Sequence, residues 1–372
     1  MIMKNKLVKS IRYIILATVL IFVTIQSYLH IAIGGKEYAS IHGLCPYGAL
    51  ESLYNIIFSG TFIQKIFSGT FILLGLTLIL ALIFRRSFCG LICPFGTIQE
   101  LLGKLGKKLF KKRYELPKKL DNPLRYLKYV ILFVTLFYGW KTAGLWMSPY
   151  DPWVAYGHMS EGPSALMEEF PVGSILLLVT IVGSMLYDRF FCKYLCPMGA
   201  FYGILSKISP GKLTRDENTC LNCGLCNKNC PANIKVSEST IIKSAECINC
   251  QSCILSCPNK DTLTFKLFGK GIAPLATIII VVSIFFGGIA VAKIANVYQT
   301  TPAPVTSSTT LNPEEIKGYM TIQDAATALK MDIGELYKKL NIPTTVPKET
   351  KLKDVKNFVP GFEVETARES LK

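Results

Sequence analysis

Residues 220–231 read Cys-Leu-Asn-Cys-Gly-Leu-Cys-Asn-Lys-Asn-Cys-Pro, and residues 247–258 read Cys-Ile-Asn-Cys-Gln-Ser-Cys-Ile-Leu-Ser-Cys-Pro. Each stretch is C-x2-C-x2-C-x3-C-P, the spacing that holds a pair of [4Fe–4S] cubanes. Three thiolates in a tight loop ligate one cubane, while the fourth cysteine of each run crosses to the other. That rule assigns Cys220, Cys223, Cys226 and Cys257 to the first cluster. It assigns Cys247, Cys250, Cys253 and Cys230 to the second. Pro231 and Pro258 follow the fourth cysteines and turn the chain away. Zinc sites and disulfides are the bland alternatives, and two complete runs of this kind match them poorly.

The rest of the chain is membrane-like. It has 372 residues, 50% of them hydrophobic and only 18% charged, less charge than a soluble protein of this length carries. Five apolar blocks predict transmembrane helices: Ile11–Ile33, Ile66–Phe84, Leu127–Met147, Val172–Tyr187 and Ile272–Ala292. Four have the length that a ~30 Å hydrocarbon core requires, and the fourth block in order is short. The first block is too long for a signal peptide and lacks a small-x-small cleavage site, so it reads as a retained helix.

Basic residues set the orientation. Lys4, Lys6, Lys9 and Arg12 precede the first block with no acid, and residues 100–128 hold ten Lys/Arg against three acids. The loop 148–171 carries four acids and no Lys or Arg. The positive-inside rule then places the N-terminus and both cysteine runs in the cytoplasm, with residues 34–65, 148–171 and everything beyond 293 outside. The net charge of +16 follows from this topology and points to anionic membrane lipid as a partner, not to nucleic acid. A reducing compartment also suits thiolate ligands.

Two of the apolar blocks end alike. The second runs into Arg86-Ser-Phe-Cys-Gly-Leu-Ile-Cys-Pro-Phe-Gly96, and the fourth into Arg189-Phe-Phe-Cys-Lys-Tyr-Leu-Cys-Pro-Met-Gly199. This repeat of helix, arginine and C-x3-C-P predicts pseudo-symmetric halves. Within one helix, C-x3-C puts both sulfurs on one face. Cys89, Cys93, Cys192 and Cys196 have three readings: a further metal cluster across the pseudo-symmetry axis, redox-active thiols, or buried packing. Residues 97–112 space Ile98, Leu101, Leu102, Leu105 and Leu109 helically among lysines, which predicts an amphipathic helix at the inner headgroups.

Cys45, in Cys-Pro-Tyr-Gly, is a third C-P-x-G on the outer side without a partner cysteine. His30, His42 and His158 also fall on the outer side, which disfavours a haem relay through the membrane. With Cys45 they form a candidate outer-face site, and Glu37, Glu51 and His42 are candidate proton acceptors from a quinol.

The domain plan is thus a membrane domain over 1–205 and an α+β two-cluster ferredoxin-like domain over 206–268. A fifth transmembrane helix over 269–297 and a flexible Thr/Pro stalk over 298–313 follow, then a small all-α extracytoplasmic module over 314–372. In that module Thr321 and Asp324 predict a capping box. Ten basic and ten acidic residues there argue against DNA binding.

In these motifs the chain resembles the NapH/MauN-type membrane ferredoxins and the membrane core of NosR, over roughly residues 10–265. The resemblance rests on two C-x3-C-P motifs (Cys89/Cys93 and Cys192/Cys196) followed by the double cysteine run. It implies a membrane electron-transfer subunit linking the quinone pool or a cytoplasmic donor to an extracytoplasmic redox protein. The fifth helix, the stalk and the external module depart from the simplest plan, and the flavin domains of NosR are missing. Two other functions fit the same motifs: a quinol- or quinone-reactive subunit confined to the inner face, and a redox sensor or assembly factor.

Overall fold

The computed structural model describes residues 2–33, 38–59, 66–112, 114–142, 145–259, 261–301, 313, 316, 318 and 320–371. Glu37 and residues 302–312 of the expected stalk lie outside the described residues. Two compact units are present, one over Met1–Ile31 and Ala39–Thr300, the other over Ala32–Tyr38 and Thr301–Lys372.

The larger unit is mainly helical. Helix α1 (Ile2–Ala32) and helix α14 (Pro274–Ile294) are long and apolar enough to cross a membrane, α1 over Asn5–Ala32. Helix α8 (Pro163–Glu169) and helix α9 (Pro171–Leu186) form a pair bent by 114° that counts as one broken span or a re-entrant loop. Helix α3 (Ser68–Phe84) is a shorter apolar helix, and helix α6 (Lys118–Thr142) carries its charges in its first three turns and, with Lys141, in its last. The chain is therefore a helical membrane protein. The five spans expected do not all reach full length, and the cause is local. Helix α3 ends at Phe84 because Arg85 takes φ 60°, whereas α9 ends at Leu186 before the extended Tyr187, and Arg189 with φ 51° caps the next helix. Positive φ at a bulky residue stops a helix and reverses the chain.

Beyond each arginine the chain builds the same two short pieces. Helix α4 (Ser87–Leu91) leads into helix α5 (Pro94–Phe110), and helix α10 (Phe190–Tyr194) leads into helix α11 (Pro197–Leu205). The two cysteines of each C-x3-C-P therefore do not share one helical face, as expected from spacing alone. Pro94 and Pro197 lack the N–H to continue a helix but suit its first turn, so Cys93 and Cys196 become N-caps of new helices.

Helix α5 confirms the expected amphipathic pattern, with a twist in what it buries. Leu101, Leu105 and Leu109 are exposed, whereas Gln99, Glu100, Gly103 and Gly106 are buried. Helix α5 packs on α9, and a Cβ at Gly106 would overlap the Met185 backbone. Close approach of two backbones needs glycine there.

Residues 206–272 carry an antiparallel sheet in the order β2-β1-β3-β4: β1 Lys212–Arg215, β2 Ile241–Ile242, β3 Leu263–Leu267 and β4 Lys270–Ile272. Leu213 faces Ile242 and Phe265 across the ladder, and these three are buried. The cysteine runs lie in the loops between β1 and β2 and between β2 and β3.

The smaller unit has its own core of Ile322, Ala325, Leu336, Leu340 and Val355. Helix α15 (Ile322–Leu329) starts in the expected capping box: Thr321 Oγ1 accepts from the Asp324 N–H (3.1 Å), and Asp324 Oδ2 accepts from the Thr321 N–H (2.9 Å). Helix α16 (Ile333–Lys339) and helix α17 (Val364–Ser370) complete it.

Candidate metal centres

The two cysteine runs adopt one backbone shape twice. Asn222 and Asn249, two residues after the leading cysteines, both have positive φ (51° and 48°). Gly224 and Gln251, two residues further, do so again (68° and 62°). Left-handed residues at these steps curl each loop so that its thiols converge.

The convergence follows the crossed pattern. Cys220, Cys223, Cys226 and Cys257 line one cavity together with Leu221, Leu225 and Pro258. Cys230, Cys247, Cys250 and Cys253 line another with Pro231, Ile248 and Ile254. Four thiols around an apolar cavity suit a thiolate-ligated cubane, which needs sulfur donors and exclusion of water. The two cages differ in exposure. Cys223 is exposed, Leu221 is 66% exposed, and the Asn222 backbone N–H and the Arg215 side chain hold the Cys220 thiol below its ordinary pKa. In the other cage burial pushes the Cys230 thiol up to about 12. A thiol in such surroundings ionises only for a bound cation.

The buried cage is held against the helical bundle. Arg85 donates to the carbonyls of Ile242 and Ser244 (both 2.6 Å), Asn249 to Phe84 O (2.9 Å) and Asn5 to Leu255 O (3.3 Å). At Gly90 a Cβ would overlap the Ile248 carbonyl oxygen and come within 3.1 Å of Cys250 Cβ. Gly90 directly follows Cys89, so the second cage abuts the first C-x3-C-P motif.

The two membrane motifs clasp each other. Arg189 Nη1 donates to Cys89 O (2.7 Å) and lies 3.0 Å from where a Cβ at Gly96 would sit. Arg86 Nη2 lies 2.8 Å from the equivalent point at Gly199. Each arginine thus reaches into the other half, and each C-P-x-G glycine makes room for it. Gly96 N–H donates to Cys93 Sγ (3.5 Å), and Gly199 N–H to Cys196 Sγ (3.3 Å). Gln99 donates to Cys192 Sγ (3.1 Å) and accepts from the Cys192 N–H (3.2 Å). Cys93 interacts electrostatically with Cys89 and Cys192, and Cys196 with all three others. These contacts bring the two motifs together, with Gln99 beside Cys192 and Arg189 on the Cys89 carbonyl.

Charge surrounds this quartet on both sides. Glu100 accepts from Arg12 (2.7 and 2.8 Å) and from Arg189 (2.6 Å). Glu246 pairs with Arg86 (3.3 Å) and with Lys128. All six residues are buried. Two cations against one carboxylate leave one positive charge in each triad. Buried net charge is costly unless an opposite charge offsets it. An oxidised iron–sulfur centre with four thiolates carries a double negative charge, which the two triads match. None of Gly90, Gln99, Glu100 and Glu246 stood out in the sequence. The available signal was an acid inside an otherwise basic stretch, as Glu100 is within residues 100–128.

Cys45 is not isolated. It precedes helix α2 (Pro46–Ser59) as the third Cys-Pro helix start and packs in the same apolar clusters as Cys93 and Cys196. It also lines a cavity with His42, Tyr47, Glu51, Met147, Ser148 and Asp151. Burial pushes the Glu51 carboxyl up to about 8 and that of Asp151 to about 6. Glu51 Oε1 has no hydrogen-bond partner among the described residues. His42 Nε2 lies 3.2 Å from Ser148 Oγ, and His158 Nδ1 lies 3.2 Å from Glu161. His30 sits in the last turn of α1.

Known proteins carry the same parts. A family described as a 4Fe–4S binding domain matches residues 67–113 and 169–216, the two C-x3-C-P halves. A 4Fe–4S dicluster domain matches residues 212–258. The putative electron transport protein YccM of Escherichia coli K12 is 32% identical over 71% of this chain and 76% of its own. The ferredoxin-type protein NapH of the same strain is 28% identical over 51% of this chain and 64% of its own. The regulatory protein NosR of Pseudomonas aeruginosa is 26% identical over 56% of this chain and 30% of its own. No solved structure matches.

Proposed function

Because the chain belongs to the NapH/NosR-type family of ferredoxin-like electron-transport proteins, we propose that it relays electrons between a cytoplasmic donor or the quinone pool and an extracytoplasmic redox partner. Its 4Fe–4S domains make electron transfer the basic activity. Iron–sulfur centres supply one-electron storage with little structural change, and everything else is done by the chain.

The roles divide by position. Cys220, Cys223, Cys226 and Cys257 would hold the solvent-side cluster, where Cys223 and Leu221 lie open to a soluble donor. Cys230, Cys247, Cys250 and Cys253 would hold the cluster seated on the bundle. Cys89, Cys93, Cys192 and Cys196 would hold a third iron–sulfur centre. The two buried triads, Arg12–Glu100–Arg189 and Arg86–Glu246–Lys128, carry that third assignment through their charge. The basic inner segments orient the ferredoxin domain to the cytoplasm, five helices cross the membrane, and the module beyond residue 313 lies outside.

The cavity at Cys45, with buried Glu51 and Asp151, favours a second reading in which quinol is oxidised at the outer face, its two electrons passing to the iron–sulfur centres and its two protons to the outer side, with the neutral Glu51 carboxyl as a hydrogen-bond partner of the quinol. Iron and acid-labile sulfide counts with EPR during a redox titration test both. Ten to twelve irons per chain, falling by two to four in Cys93→Ser, are expected; roughly eight in both proteins removes the third centre. Quinol-dependent reduction that persists without any external acceptor, and is lost in Glu51→Gln, supports the outer site.

A further inference from the structure

Between α6 and the ferredoxin domain lies a cavity of about 1080 Å³ that the electron-transfer reading leaves unused. Its walls come from both sides: Asp121, Arg125, Tyr126 and Tyr129 from α6, and Lys235 and Lys243 from the loop before the second cysteine run. Lys193 and Lys207, from the ends of α10 and α11, close it.

The carboxylates in this wall are already occupied. Asp121 accepts from Arg125 (2.8 Å) and Tyr194 (2.5 Å), Glu115 pairs with Lys235 (3.7 Å), and Glu246 sits between Arg86 and Lys128. Lys207 and Lys243 have no carboxylate partner among the described residues, and Lys193, 4% exposed, lines the same wall. The lining is therefore a positive recess.

An apolar stripe leaves the recess along α6. Tyr126, Val130, Phe133 and Phe137 are 69%, 57%, 71% and 41% exposed, and their spacing puts them on one helical face. Ile204 and Ile208, which flank Lys207 in sequence, are also exposed. A cationic recess opening onto an exposed apolar stripe, with tyrosines at the junction, fits an amphiphile at the headgroup level.

We propose that this recess binds the phosphate headgroup of one acidic phospholipid, with its acyl chains along Tyr126, Val130, Phe133 and Phe137. A neutral quinone head would leave the lysines unmatched. Bound there, the lipid bridges α6 and the loop at Lys243, tying the ferredoxin domain to the membrane surface.

The test uses the full chain in detergent, titrated with short-chain phosphatidylglycerol, phosphatidylcholine or inorganic phosphate. Native mass spectrometry counts adducts, and thermal unfolding reads stabilisation. Phosphatidylglycerol is expected to form a single retained adduct and raise the midpoint, while phosphatidylcholine does neither. The double variant Lys207→Glu/Lys243→Glu, outside every cysteine cage, is expected to lose roughly tenfold or more in affinity, given about 1 kcal/mol per basic residue at such surfaces. Tyr126→Ser should weaken lipid binding without changing any response to phosphate. Equal binding by wild type and the double variant overturns the proposal. So does inorganic phosphate binding as tightly as phosphatidylglycerol, which would make the ligand a free anion.

Discussion

Gly90 and Ile248 meet backbone to backbone: the turn after Cys89 runs so close to the second cysteine run that a Cβ on Gly90 would overlap the Ile248 carbonyl. The Gly90 carbonyl is itself held by Arg12 Nε and Nη2 (3.1 and 2.8 Å), so the turn cannot back away freely. Position 193, the equivalent in the other motif, is a lysine, and there no cage approaches. Gly90→Ala should therefore lift the ferredoxin domain from the bundle, at a cost of roughly 1–3 kcal/mol for overpacking. The expected phenotype is unchanged iron content with slower electron exchange between the ferredoxin clusters and the repeat cysteines. Freeze-quench EPR after rapid reduction checks it, and wild-type kinetics would show that the contact is only packing.

Each carboxylate of the buried triads separates two cations. Glu246→Gln leaves Arg86 and Lys128 facing each other without their counter-charge, and loss of one member of a buried ion network costs roughly 3–5 kcal/mol. Reduction of the neighbouring centre adds negative charge, so an extra positive charge favours the reduced form. Both Glu246→Gln and Glu100→Gln are therefore expected to raise the midpoint potential of the repeat-cysteine centre and to lower the unfolding temperature. A potentiometric EPR titration separates the two effects. An unshifted potential would place no centre between the triads.

The cysteine spacing made the crossed cages legible, because loop geometry fixes which thiols can converge. The C-x3-C-P repeat was legible as a repeat but not in its details. Pro94 and Pro197 broke the helix that spacing implied, and the clasp of Arg86 and Arg189 into the opposite halves is a long-range event. The surroundings of Cys45 were unreadable for the same reason: the apolar clusters it packs in are drawn from residues distant in sequence. Glycines such as Gly90 and Gly106 carry no pattern at all, since their role is set by the backbone they let in.

The capping box of the small unit closes helix α15 through Thr321 and Asp324. This helix has only eight residues, so it relies on its cap and on core contacts from Ile322 and Ala325. Thr321→Ala should cost about 1 kcal/mol, while Thr321→Ser should restore nearly all of it. Hydrogen exchange at the first-turn amides of α15 measures this directly. Equal protection in all three proteins would show that packing alone fixes the helix start.

Glu51 gives the chain a pH dependence with a definite sign. Its carboxyl titrates near 8 in the fold and at 4.5 as the ordinary value, with burial as the cause and the Met147 backbone N–H as the opposing contact. Asp151, Cys45 and His42 face the same cavity. A raised acid pKa means the folded protein holds a proton that the unfolded chain has released. The stabilisation is complete below pH 4.5 and falls as pH rises toward 8, by roughly 4–5 kcal/mol in all at about 1.4 kcal/mol per unit. Glu51→Gln removes that slope and should unfold at a higher temperature than wild type at pH 8–9, with little difference near pH 5. Asp151 keeps a smaller slope of the same sign, below pH 6, in both proteins. Parallel melting curves for wild type and Glu51→Gln from pH 5 to pH 9 would mean that Glu51 is not held protonated in the fold.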